Sequence, residues 1–434
     1  MANTQVIRGA ILHFLGDPQL NSDHIRYYSD GALVIEDGVV VDVGTWRDDV
    51  SAAFKGRVTH YREGLILPGF IDTHIHYPQM DMIASYGEQL FTWLDRYTYP
   101  TEKKFADKQH AQAVAQRFID ELLRNGTTTA LTFATVHPQS VDALFEQALA
   151  KNMRLITGKV SGDRNLPDYL METTEDSYRQ QKVLIDKWHN KGRLRYAITP
   201  RFAPAVSPDM LAVVKRLQDE NPDVHIHTHI SESEQEVTWS KTLFETENYL
   251  QIYDEYNMLG KRTMLAHGVL LGDEELQRIA ATDTGIAFCP SSNLFLGSGL
   301  FDLQRAEKYG ARVAIGTDVG GGTSFSMLQT LSDAYKVLQL QKQSLPSMKG
   351  LYLATLGGAL ALDLDNEIGN FEIGKVADFV VLDIKGATPL LQQRLQYAPD
   401  LQDKLFALMM LGDDRSVVAT YIEGNLVYKR GESV

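Results

Sequence analysis

Histidine and carboxylate side chains stand at the ends of four apolar, strand-like runs. His74 and His76 are two residues apart in the first run, so both imidazoles project from one face of a strand. Three later runs end in His229, His267 and Asp318. Imidazole nitrogens with one carboxylate suit Zn²⁺ or Fe²⁺, and a position left open for water makes such a site catalytic. The spacing therefore predicts a catalytic metal centre.

Each of these residues also has an ordinary structural explanation. Two histidines on a strand pair readily with carboxylates or solvent, and an aspartate after a strand, such as Asp318, often caps the next helix. His225 and His227 share a strand face with His229 but lie deeper, so we interpret them as core groups or partners of the ligands. The metal is favoured because several strand ends carry such residues at once.

Proton transfer at such a site requires a base, and Glu232 is the candidate. It follows His229 by three residues, just beyond the end of the predicted strand. A carboxylate there would take a proton from water activated by the metal and deliver it to a leaving group. The alternative is an acid in the first turn of a helix, stabilised by the helix dipole.

The segments that carry these side chains alternate between strand-like runs and helical patterns, which is typical of parallel βαβ units. Eight parallel strands with crossover helices predict an α/β fold, a (β/α)₈ TIM-like barrel, and a doubly wound sheet is the alternative. A barrel collects the C-terminal ends of its strands at one face, where the polar strand ends would converge. The eight runs are Leu67–His76, Thr127–Thr135, Arg154–Val160, Arg193–Ala203, Val224–Glu232, Thr263–Leu270, Gly285–Asn293 and Arg312–Gly320.

Both ends of the chain have a different, all-β texture, with short strands and turns in residues 6–60 and again in residues 378–428. They predict a small composite β-sandwich, built from residues 1–66 and 365–434, beside a barrel of residues 67–364. Residues 77–103 form a long connection rich in aromatic rings. Connections of this length are usually lids or disordered segments, and the aromatic content favours a lid, so we call it the lid segment.

Composition limits the partners. The chain has 434 residues, 44% hydrophobic and 23% charged, which excludes disordered and fibrous classes. Its 42 basic and 56 acidic residues give a net charge of −14, which opposes attraction to phosphate backbones and anionic membranes. The single cysteine, Cys289, cannot form an internal disulfide. We therefore expect a cytoplasmic protein with a small-molecule partner, no nucleic-acid polymer and no membrane.

At these residues the chain resembles the amidohydrolase superfamily of metal-dependent hydrolases. The resemblance rests on residues 68–76, PGFIDTHIH, on the polar ends of strands five, six and eight, and on residues 369–378, GNFEIGKVAD. It implies that Glu232 and Asp318 share proton transfer. Relatives with two metals use a lysine on strand four, and Arg193–Ala203 contains none, so one divalent metal is expected, Zn²⁺ with Fe²⁺ as the alternative. The implied ligands are His74, His76, His229, His267 and Asp318.

Within that superfamily the chain is similar to the guanine deaminases. The similarity rests on YPQ after His76, FTWLDRYTYPTE in residues 91–102 and TPRF in residues 199–202. It implies hydrolytic deamination of guanine to xanthine and ammonia. Gln79 and Arg201 would hydrogen-bond the purine, with Phe202 over its face and His229 beside it. For Arg201 alone, a salt bridge at the rim is the alternative.

Two other functions stay open. The chain could hydrolyse another heterocycle, such as a triazine or an adenine-like ring, or it could be a non-catalytic barrel that acts in assembly. The complete set of ligand residues argues against the second. We also expect the protein to form a homodimer.

Overall fold

The computed structural model describes residues 4–47, 58–87 and 89–432, and its strands form two separate sheets. Within these ranges, no helix is long and apolar enough to cross a bilayer. The strands are β1 Thr4–Phe14, β2 Ile25–Glu36, β3 Val39–Thr45, β4 Val58–Pro68, β5 Phe70–His76, β6 Thr127–Phe133, β7 Arg154–Gly158, β8 Val160–Ser161, β9 Leu194–Pro200, β10 His225–Ile230, β11 Thr263–His267, β12 Gly285–Phe288, β13 Arg312–Ile315, β14 Phe379–Asp383, β15 Val417–Ile422 and β16 Asn425–Lys429.

The larger sheet is the predicted barrel. Its parallel strands follow the order β5, β6, β7, β9, β10, β11, β12 and β13, and β8 adds a short pairing with β9. Backbone hydrogen bonds join its two ends: the N–H of His76 donates to the oxygen of Val319, and the N–H of Asp318 to the oxygen of His74, both at 2.8 Å. The eight-stranded barrel is confirmed, and the doubly wound alternative is wrong because the first and last strands meet.

Helices connect the barrel strands and bury one face against them. In Lys108–Arg124 the Asp107 side chain caps the first turn by accepting from the N–H of Gln109 at 2.8 Å. The helix stops before Gly126, whose φ of +81° favours glycine. The α-helices of the described residues are Leu90–Trp93, Tyr99–Glu102, Lys108–Arg124, Pro138–Ala150, Thr174–Trp188, Pro208–Glu220, Glu234–Phe244, Tyr249–Glu255, Asp273–Ala281, Pro290–Phe295, Leu303–Lys308, Met327–Leu340, Ser347–Leu353, Leu356–Ala361, Pro389–Gln396 and Leu401–Leu411.

Both chain ends contribute to the smaller sheet, which is mixed and has the order β16, β15, β14, β4, β1, β2, β3. The first predicted barrel strand began at Leu67, but Leu67 pairs with Val380 of this sheet, and the barrel strand begins at Phe70. Gly69 marks the passage between the sheets. A Cβ there would lie 2.1 Å from the hydroxyl oxygen of Thr128, so only glycine fits at this crossing.

The lid segment follows β5 and lies at the C-terminal face of the barrel. It contains a 3₁₀ turn, Tyr77–Met82, and a π-helical turn, Leu94–Thr98, between its two short α-helices. Leu90, Trp93 and Tyr99 are buried in an apolar cluster that also contains Phe202. The segment is therefore packed over the strand ends on which the predicted site residues lie.

Candidate metal centre and active site

Four imidazoles and one carboxylate meet at the C-terminal face of the barrel. Nε2 of His74 and Nε2 of His76 lie 3.2 and 3.3 Å from Oδ1 of Asp318. Nε2 of His229 lies 3.2 Å from that of His76, and Nε2 of His267 lies 3.8 Å from Oδ2 of Asp318. Although they are up to 244 positions apart in the chain (318 − 74), the structure brings all the proposed ligands together.

The outward-facing nitrogens of two of these rings are held in place. Nδ1 of His229 lies 2.6 Å from the backbone oxygen of Arg201, so it must donate a hydrogen there. Nδ1 of His267 lies 2.9 Å from Oδ1 of Asn293. A proton on Nδ1 leaves the lone pair on Nε2, which faces the cluster. Asn293 was not predicted as a partner of His267, because it lies in the short helix Pro290–Phe295 that follows another barrel strand.

His227 supports His74 in the same way. Its Nε2 lies 2.7 Å from Nδ1 of His74, one layer below the cluster. His225 lies deeper still, with Nε2 3.0 Å from the backbone oxygen of Leu362. The structure thus places these two histidines beneath the cluster, and His227 alone touches a proposed ligand.

The donor set fits a divalent metal. Burial lowers the pKa of His76 to about 3 and the pKa of His229 well below its usual range, so the rings are neutral at pH 7. Nε2 of His76 lies 3.2 Å from Nε2 of both His74 and His229, and one ring nitrogen can donate to only one of them. Crowded lone pairs of this kind repel each other unless a cation binds them.

Glu232 lies beside this cluster. Its Oε2 is 3.5 Å from Nε2 of His267, and its Oε1 accepts from the hydroxyl of Ser298 at 3.4 Å. Burial, and next the negative charge of Asp318, raise the pKa of Glu232 to about 8. A carboxyl group in this environment can hold a proton near neutral pH.

The helical alternatives for the two acids are not what the structure shows. The helix Glu234–Phe244 begins after Glu232, and Ser233 and Glu236 form its capping box. Likewise, the side chain that caps the helix after Asp318 is that of Ser326. Glu236 accepts from the N–H of Glu232 at 2.7 Å, so it also fixes the backbone at Glu232.

A pocket opens over the cluster, and both polar and apolar side chains line it, as is usual for small-molecule sites. All the predicted purine-contact residues line it. Oε1 of Gln79 accepts from the N–H of Gly320 at 3.2 Å, which orients the side-chain amide. The lining residues are His76, Gln79, Leu90, Trp93, Leu94, Arg201, Phe202, His229, Glu232, Glu236, His267, Ser292, Leu296, Asp318 and Gly321.

Arg201 combines the two interpretations that its sequence context left open. It lines the pocket, yet it also forms a salt bridge, and this bridge is buried inside the protein and does not lie at the rim. Its partner is Glu102 of the lid segment, to which Nη1 donates at 2.7 Å and Nη2 at 3.0 Å. This partner could not be predicted from the sequence, because nothing local relates Glu102 to a residue 99 positions away.

Comparison with known proteins agrees with this geometry. The model of the amidohydrolase family matches residues 65–427. The chain is 51% identical to a guanine deaminase of Escherichia coli over 98% of this chain and 98% of the relative. It is 35% identical to the human guanine deaminase, over 99% of this chain and 98% of that protein.

Solved structures give the same result. That of the E. coli guanine deaminase superposes with a TM-score of 0.96 at 51% identity and covers 98% of this chain and 100% of that one. That of the guanine deaminase from C. acetobutylicum, with guanine bound in its active site, has a TM-score of 0.90 at 27% identity, covering 98% and 100%. The chain therefore belongs to the amidohydrolase family and, within it, to the guanine deaminases.

Proposed function

We propose that the protein catalyses the hydrolytic deamination of guanine to xanthine and ammonia with one divalent metal ion. One observation carries this proposal: the metal-ligand cluster and Glu232 lie at the base of the pocket that Gln79, Arg201 and Phe202 line. Groups for activating water and groups for recognising a purine thus line the same pocket. The likeness to guanine deaminases over the whole chain supports the same reaction.

The metal ligands in this proposal are His74, His76, His229, His267 and Asp318. Neutral imidazoles with one carboxylate suit Zn²⁺, which we propose as the metal, with Fe²⁺ as the alternative. When bound, such a metal supplies Lewis-acid activation of water, lowering the pKa of the water from about 15.7 to about 7. The hydrogen bonds from Nδ1 of His229 and Nδ1 of His267 keep Nε2 of these rings turned inward.

Proton transfer is the role we assign to Glu232, with help from Asp318. Water adds to C2 of guanine, and Glu232 accepts its proton on a carboxylate oxygen and passes it to the adjacent ring nitrogen. The bond from C2 to the amino nitrogen then breaks. The second proton comes from the hydroxyl group added at C2, which becomes the carbonyl of xanthine, and Glu232 or Asp318 delivers it to the amino nitrogen, which leaves as ammonia. The raised pKa of Glu232 suits a group that must hold a proton between these steps.

Purine recognition is assigned to the upper part of the pocket. Arg201 donates hydrogen bonds to the O6 carbonyl, and Gln79 binds a polar edge of the ring. Phe202 lies against the face of the base, and the lid ring of Trp93 lines the same space. His229 belongs to the ligand cluster and also lines the pocket, so it would serve both the metal and the base.

A substrate panel tests the proposed function. Purified, metal-analysed protein should release ammonia from guanine with a higher kcat/KM than from other purines, pterins or triazines. Replacing Arg201 with Met should raise KM and weaken the preference for guanine over 2-aminopurine, which lacks the carbonyl. An Arg201→Met enzyme that keeps this preference would remove Arg201 from the recognition of guanine, and a triazine preferred by the wild type would overturn the substrate itself.

The assembly and location belong to the same proposal. We infer a cytoplasmic homodimer, in keeping with the net charge of −14, which disfavours adsorption to anionic surfaces. Light scattering on the purified protein should give twice the chain mass of 48.6 kDa. A mass equal to one chain over a wide concentration range would contradict the dimer.

A further inference from the structure

The salt bridge between Glu102 and Arg201 connects the lid segment to the barrel inside the protein. The side chain of Glu102 is 1% exposed and that of Arg201 5% exposed. Both carboxylate oxygens accept from different terminal nitrogens of the guanidinium, which is the bidentate geometry that fixes the plane of an arginine. The pair therefore holds the guanidinium in one orientation.

Arg201 keeps donors for another partner. A guanidinium has five N–H hydrogens, and Glu102 uses one on each terminal nitrogen, which leaves three. The guanidinium carbon lies 5.1 Å from the centre of the Tyr99 ring, so the lid covers it from a second direction. Because the side chain also lines the pocket, the remaining hydrogens are available to a bound molecule.

We propose that Glu102 is a positioning residue for substrate selection, acting through Arg201. It aims the remaining guanidinium hydrogens at a substrate carbonyl, and it neutralises the arginine charge, so that the pocket accepts a neutral purine and does not favour an anionic one. This inference rests on the proposed function. Xanthine, the product, is a stronger acid than guanine, so the second effect limits how tightly the product is retained.

Loss of the carboxylate charge separates this role from a merely structural one. Glu102→Gln keeps the shape of the side chain but leaves the arginine charge uncompensated in a buried site. Guanine should then bind less well, because the amide nitrogen cannot accept the second guanidinium hydrogen bond, while the xanthine anion should bind more tightly. General loosening of the lid would weaken the binding of both purines.

A second buried pair provides the matched control. Nζ of Lys159 donates to Glu172, and their side chains are 0% and 9% exposed. Neither residue lines the pocket. Glu172→Gln therefore reproduces the removal of a buried carboxylate charge from a cation without touching the proposed site.

The experiment measures KM and kcat for guanine and the inhibition constant for xanthine at mildly alkaline pH, with metal content and Tm of every variant. Glu102→Gln should raise KM for guanine about 10-fold or more, the effect of an unmade hydrogen bond to a charged group, and change kcat much less. Its inhibition constant for xanthine should fall. When Arg201 is already replaced by Met, adding Glu102→Gln should change neither KM for guanine nor the inhibition constant for xanthine any further.

The inference is overturned if Glu102→Gln weakens the binding of guanine and of xanthine alike, as a structural defect would. It is also overturned if KM for guanine and the inhibition constant for xanthine are the same in Glu102→Gln as in Glu172→Gln. It is also overturned if Glu102→Gln acts equally in the Arg201→Met background. If Glu102→Gln does not fold, Glu102→Asp takes its place, because it keeps the charge on a shorter side chain. Glu102→Asp should raise KM for guanine without tightening the binding of xanthine. An unchanged KM would contradict the inference. A wild type that releases no ammonia from guanine would instead overturn the proposed function.

Discussion

The buried carboxyl of Glu232 should make the metal-free protein lose stability as the pH rises. Its pKa is raised to about 8 in the folded protein, first by burial and then by the charge of Asp318, against 4.5 for the ordinary group. Between these two pH values the folded state binds the proton and the unfolded state does not. The free energy of unfolding therefore falls with increasing pH in this window.

The magnitude follows from the shift. The difference of 3.5 pKa units (8 − 4.5) corresponds to about 5 kcal/mol at 1.36 kcal/mol per unit, and most of it lies between about pH 5 and about pH 8. Glu232→Gln removes this titration. Urea denaturation of the metal-stripped proteins measures the free energy of unfolding. Between about pH 5 and about pH 8, that of the variant should rise by about 3–4 kcal/mol relative to that of wild type.

The control is Glu247→Gln, which changes an exposed carboxyl and should leave the pH dependence as in wild type. The contrary result is a free energy of unfolding that falls with pH as steeply in Glu232→Gln as in wild type. Glu232 would then not hold a proton at neutral pH in the metal-free fold, and its burial would not raise its pKa as stated.

Three other perturbations test the site. His267→Ala should lose bound metal and activity together, as measured by elemental analysis and ammonia release, and full metal occupancy in that variant would remove His267 from the ligand set. His229→Ala should abolish metal binding. His225→Ala should mainly lower Tm, because His225 contacts the backbone oxygen of Leu362 at the base of the barrel. The reverse result would contradict the assigned depth of the two rings. Glu232→Gln should keep its metal and bind guanine, but its kcat should be about 10²–10⁴-fold lower, which is the usual contribution of general acid–base catalysis. An unchanged kcat would exclude Glu232 as the proton carrier.

Much of the fold and of the cluster could be predicted because both depend on local periodicity. Alternation along β5 and β10 puts His74, His76 and His229 on inward faces, and parallel strands bring their C-terminal ends together. The eight strand-like runs sufficed for the barrel. The start of the first strand was misplaced, because Leu67 is as apolar as a barrel residue, and only its pairing with Val380 assigns it to the other sheet.

The partners of the site residues could not be predicted in the same way. Asn293 beside His267 and Glu102 beside Arg201 are 26 and 99 positions from the groups they contact. Such contacts depend on how the short helices after the barrel strands pack over the barrel, and a single sequence holds no local pattern for them. The motif around Arg201 suggested a purine contact. Only the three-dimensional structure shows that its guanidinium is already bound to a buried carboxylate.

Metal-dependent ammonia release from guanine tests the proposed reaction directly. Protein stripped with a chelator and reconstituted with measured amounts of Zn²⁺ should regain xanthine and ammonia production in proportion to bound metal, reaching its maximum at one ion per chain. His267→Ala, treated in parallel, should stay inactive. Full activity in protein shown to be metal-free, or a maximum reached only at two ions per chain, would contradict the single-metal deaminase described above.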